Sequence, residues 1–180
     1  MNTRLRFLAG CCSIAAALLL SVFLFYRWNY PYGHRTCAVP CTVNALRIYA
    51  IQNGGWFPQS STNGLEALAR FAMESKDFRR FAAGLSGNEK LAEALIREGI
   101  PLTTEASSWV YFPSFRIDDP RVCIIWESVE GIGSSGKKAA GHAVGYNDGS
   151  VEQIVPSDWQ AFQATQARNR SQILQTRRVQ

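Results

Sequence analysis

The run from Phe7 to Tyr26 constrains this chain more than any other stretch: twenty residues with neither a charge nor a proline. A helix of that length rises about 30 Å, which matches the hydrocarbon core of a bilayer. Ten of the twenty are Leu, Ile, Val or Phe. Together they favour insertion by roughly 3 to 6 kcal/mol, more than Ser13, Ser21 and Gly10 oppose it. Tyr26, Trp28 and Tyr30, with Arg27 among them, form the aromatic group expected at a membrane interface.

This pattern predicts a cytoplasmic N-terminus over residues 1–6, a transmembrane helix over 7–28 and a linker over 29–40 that contains Pro31 and Gly33. Arg4 and Arg6 precede the helix while Arg27 and Arg35 follow it, so the charge bias is slight. The short N-terminal flank favours a cytoplasmic start and a domain on the outer side. A cleaved signal peptide is the competing reading. Against it, the run is long for such a peptide and no Ala-x-Ala-like site follows. Leu8-Ala9-Gly10-Cys11 spells a lipoprotein box but precedes most of the apolar region instead of following it.

The formal charge of +5 sits at the ends of the chain. Residues 7–156 carry thirteen basic and thirteen acidic side chains. A neutral body offers no basic stripe for nucleic acid. The remaining excess lies on Arg4 and Arg6 and on a basic tail expected over 164–180.

After the linker, Pro40 and Thr42 open a helix with Val43, Leu46, Ile48, Tyr49 and Ile51 as apolar positions. Gly54-Gly55 stops it. Helices are also expected after Ser61-Thr62, with Leu65, Leu68 and Phe71 inward, and from Asp77 to Leu85. Another is expected from Asn88 to about Arg97, ended by Gly99. The period then changes to that of strands, at Ser107–Phe112 and Arg121–Glu127. Two further runs, 142–147 and 150–154, flank Asn147-Asp148-Gly149. Asp-Gly between such runs signals a hairpin, and a type I′ turn would put both Asp148 and Gly149 at positive φ. Pro156 and Ser157 open a last helix carrying Trp159 and Phe162. Helices followed by a small antiparallel sheet of three or four strands and a terminal helix make an α+β fold over residues 41–163.

Few residues suggest chemistry. Gly131-Ile132-Gly133-Ser134-Ser135-Gly136 matches a dinucleotide fingerprint by letter, but a strand follows where a phosphate-binding helix is required. No nucleotide is expected. Asp118-Asp119 before Pro120 is a candidate calcium corner, since hard cations want clustered oxygens. The bland alternative is a turn before a strand, and no other cofactor is expected. Cys37 and Cys41 can bridge in an oxidising compartment or stay reduced. Cys11 and Cys12 fall in the apolar run, and Cys123 falls in an apolar strand. His142 has no nucleophile obviously placed beside it. A catalytic alternative would need His142, Glu127 and Asp119 to converge in one pocket.

The hairpin Gly141–Ile154 resembles the Asp-Gly-x-Val-Glu segment near the C-terminus of pilin-like and type II secretion pseudopilin-like proteins. Among these is the prepilin-associated family named for a His ahead of Asp-Gly. Glu127 resembles the end of their preceding strand. Cys41-Thr42-Val43-Asn44-Ala45-Leu46, leading to Asn53-Gly54-Gly55-Trp56-Phe57-Pro58, is similar to their helix start and the Asn-Gly-Gly-x-Phe-Pro that follows it. The likeness does not extend to the prepilin cleavage motif. Phe7 follows Arg6 where Gly is usual, and Cys11 stands where the mature fifth residue would be Glu. The resemblance implies a single-pass, non-catalytic protein of a bacterial inner membrane with a periplasmic domain. Its partners would be other membrane or secretion-system proteins. A membrane-tethered periplasmic enzyme or ligand-binding domain is the alternative.

Overall fold

A computed structural model of the chain describes residues 3–33, 38–59 and 82–179. The helices expected near 65–72 and over most of 77–85, together with Cys37, lie outside the described residues. The rest is α+β: an apolar N-terminal helix, two further helices, a four-stranded antiparallel sheet and a C-terminal helix.

Helix α1 spans Thr3–Asn29. Over Gly10–Asn29 it is long and apolar enough to cross a membrane, and none of that stretch is buried. Leu19 and Phe25 each expose about seven tenths of their surface, an arrangement that water disfavours strongly and a bilayer does not.

Helix α2, Ala38–Gln52, buries Val39, Val43, Leu46 and Ala50. Their 4-3-4 spacing puts them on one stripe. Helix α3, Glu89–Glu98, begins where the Asn88 side chain accepts from Leu91 N–H and ends at Gly99 in the left-handed conformation. Both ends follow from short-range sequence chemistry.

Strands β1 (Trp109–Tyr111), β2 (Cys123–Glu127), β3 (His142–Tyr146) and β4 (Val151–Ile154) pair in sequence order as an antiparallel meander. Trp109 lies opposite Glu127, Trp126 opposite Val144 and His142 opposite Ile154, with a bulge between Cys123 and Ile125. The α2 stripe joins Ile124, Ile125 and Ala143 in one core cluster. On the other face Cys123, Trp126, Val144 and Tyr146 pack with Trp159 and Phe162 of helix α4, which spans Pro156–Val179. The central strands are therefore covered on both faces, which explains why every residue of β2 and β3 is buried. Gly145 sets the spacing on the α2 face, because a Cβ there would lie 2.2 Å from Val43 Cγ2.

Two expectations change. The hairpin turn is longer than type I′: Gly149 N–H donates to Tyr146 O and Tyr146 N–H to Ser150 O. Gly149 has a φ of +94°, whereas Asp148 does not enter the positive-φ region. This is a three-residue loop with a glycine bulge. It is selected by the Asn147 side chain, which is buried, accepts from Val122 N–H and donates to Asp119 O. The basic tail expected at 164–180 is part of α4 as far as Val179. Gln166 and Ile173 are buried in it and Arg177 is hydrogen-bonded to the body, so the domain runs past residue 163.

Candidate functional site

The sheet has two ends with different chemistry, separated along β3 by about 15 Å at the usual rise per residue. At the end far from α1, the loop before β2 meets the turn after α2 and the last turns of α4. Phe57 N–H donates to Phe115 O, and Ile117 N–H to Gly55 O. Arg177 reaches back from α4, donating to Ser114 O at 2.5 Å and to the Asp119 carboxylate. These contacts frame a cleft of about 530 Å³ whose wall includes Trp56, Arg116, Asp118, Asp119, Arg121 and Arg177. The guanidinium carbons of Arg116 and Arg177 lie 5.3 and 4.8 Å from the Trp56 ring centre, within cation–π range.

Asp118 and Asp119 do line this cleft, but their charges face arginines. Asp119 Oδ2 accepts from Arg116 N–H at 2.6 Å and from Arg177. Asp118 Oδ1 sits 2.9 Å from Arg116 Nε, an ion pair without hydrogen-bond alignment. A calcium ion would need six or more oxygens, and no group of three or more metal-binding side chains forms among the described residues. The pair forms a turn that holds two arginines.

Beside the cleft, the Asp148–Gly149 turn carries an exposed charged cluster. Asp148 Oδ1 accepts from Ser150 N–H and from its hydroxyl. Arg121 pairs with Asp148 at 3.2 Å and Glu152 at 2.5 Å, and its guanidinium carbon lies 3.6 Å over the Tyr146 ring. The Tyr146 hydroxyl donates to Glu152 at 2.8 Å. That bond, and then Arg121, hold the Glu152 carboxyl below its ordinary range.

At the anchor end, Glu127 is fully buried. Its carboxylate accepts from Leu85 N–H at 2.8 Å and Ser86 Oγ at 3.0 Å. Burial pushes its pKa up, against bonds from Ser108, Leu85 and Ser86 that favour the charged form. His142 adjoins Glu127 only through the backbone, with Nδ1 3.0 Å from Glu127 O. Its ring stacks on Trp159 at 3.9 Å. Asp119 stands at the opposite end of the sheet, beside Asn147. The three groups whose convergence a catalytic site would need are thus not brought together.

The cysteines also separate. Cys41 is disulfide-bonded, while Cys11, Cys12 and Cys123 are free. Burial pushes the Cys123 thiol up to about 12, making it an inert core group.

Trp56, Arg121 and Arg177 were not singled out by sequence reasoning. A helical stripe at Phe162, Gln166, Ile173 and Arg177 was the available signal for the last. For Arg121 the partners lie 27 and 31 positions away, and no local pattern marks them. No family model, curated protein or solved structure matches this chain.

Proposed function

We propose that this protein is a single-pass, membrane-anchored, pilin-like protein that works by protein–protein contact, as a component or accessory of a type II secretion or pilus-like system. The observation carrying this reading is the unburied apolar stretch Gly10–Asn29, which precedes a small sheet-and-helix domain in the element order. A free apolar rod of this length has no stable place in water.

The disulfide at Cys41 supports an oxidising compartment for the domain, hence the periplasmic side of a bacterial inner membrane. The Trp56–arginine cleft is the surface this reading assigns to a partner, since Trp and Arg carry much of the energy in protein interfaces. The test is fractionation together with thiol accessibility. A cysteine placed at exposed Gln160 should sit in the membrane fraction and react with an impermeant maleimide in intact spheroplasts. A product found in the cytosol, or labelled only after lysis, contradicts the proposal.

A further inference from the structure

The glycine-rich segment between β2 and β3 has no role in the reading above, yet among the described residues it touches α1. It folds back on itself: Gly131 N–H donates to Gly141 O, Ala139 N–H to Gly131 O and Gly133 N–H to Lys137 O. Ile132 forms bridges to both Lys138 and His142, which ties the loop to the sheet. Val39 N–H, at the start of α2, donates to Ser134 O.

The tip of this loop then caps α1. Lys138 N–H donates to Asn29 O at 2.7 Å, satisfying one of the carbonyls that a helix leaves unpaired at its C-terminus. The Lys138 ammonium lies 3.8 Å from the Trp28 ring centre and near the negative end of the helix dipole. Trp28 belongs to an aromatic group with Tyr26 and Tyr30, whose rings are 5.2 Å apart. Such groups sit at headgroup level. Lys138 is therefore held at headgroup depth, with exposed Lys137 beside it and Arg27 on the adjoining helix turn. Among the described residues, Glu130 and Asp158 are the exposed acidic side chains on the segments at this end, against the three cations Arg27, Lys137 and Lys138.

We propose that residues 131–141 form a foot that seats the domain on the bilayer, with Lys137 and Lys138 binding the phosphates of acidic phospholipids. The proposal rests on α1 lying in that bilayer. The occupant follows from charge and position: the loop meets the end of α1 at Trp28 and Asn29, and its two lysines are exposed, with ammonium groups that anionic headgroups attract. The domain is then clamped upright on its anchor with the Trp56 cleft turned away from the lipid.

Hydrogen–deuterium exchange tests this on the full chain in nanodiscs of phosphatidylcholine, compared with phosphatidylcholine–phosphatidylglycerol mixtures. Amides of residues 132–138 should exchange about fivefold more slowly in the acidic discs for each lysine engaged, and added salt should remove the difference. Lys137→Gln, at a side chain with no hydrogen bond or ion pair among the described residues, should reduce the effect, and Lys137→Gln with Lys138→Gln should abolish it. Equal exchange in both lipids, with the chain firmly in the discs, overturns the foot alone. So does a lipid effect that survives the double substitution. A chain that does not remain in either disc overturns the anchor reading and the foot together.

Discussion

The two ends of the β-sheet hold charged and polar groups in opposite ways. At the anchor end Glu127 is fully buried and bonded to backbone and hydroxyl donors, while the loop tip is fixed to α1 through main-chain contacts. At the far end Arg121 and Glu152 are each about 45% exposed and bind one another across the surface. The lesson is that burial, more than the number of ion pairs, decides which end the fold depends on. A buried carboxylate stripped of its donors, or donors stripped of it, costs several kcal/mol, whereas an exposed pair is worth about 1 kcal/mol at most.

The sharpest way to break this contrast is Glu127→Ala. It should destabilise the full chain in detergent by about 3 kcal/mol, because the buried Leu85 N–H loses its partner; chemical denaturation would measure it. The same residue predicts a pH dependence. Folding raises its pKa above the usual 4.5, so at pH values between the unfolded and folded pKa the folded chain holds a proton that the unfolded chain has released. The stabilisation is complete below that value and is lost as pH climbs through the raised one. In Glu127→Gln that slope should vanish.

Next in size is Asn147→Ala, which removes the side chain bonded to Val122 N–H and Asp119 O and should cost about 2 kcal/mol in the same assay. Gly145→Ala should cost about 1–3 kcal/mol by driving a methyl into Val43. If α2 shifts to make room, tryptophan fluorescence will report it through Trp109, which shares the α2 core cluster. Smallest is Arg121→Ala. Despite its several partners it should change stability by less than about 1 kcal/mol, and less still in high salt. A loss at the far end as large as that of Glu127→Ala would erase the distinction between the two ends.

Much of this architecture is written locally. The apolar run, the Asn88 and Gly99 caps and the alternating strands each rest on chemistry within a few residues. The turn type was not legible, because Asn147 is committed to groups 25 and 28 positions away, and that overrides the local preference of Asp-Gly. The docking of α4 was obscured by its polar composition, since among the described residues only Gln166 and Ile173 are buried beyond Phe162. The arginines paired with Asp118 and Asp119 had no local signal beside the two aspartates. Of the far-end cleft, sequence offered the two aspartates and the Asp-Gly turn. The Trp56–Arg177 contact joins residues 121 positions apart in the chain, beyond any periodicity.

Alkaline carbonate extraction of membranes from cells expressing the full chain tests the anchoring claim most directly. The account predicts that the protein stays in the membrane pellet at its full-length mass. Recovery in the supernatant, or as a shortened chain lacking residues 7–26, would contradict it.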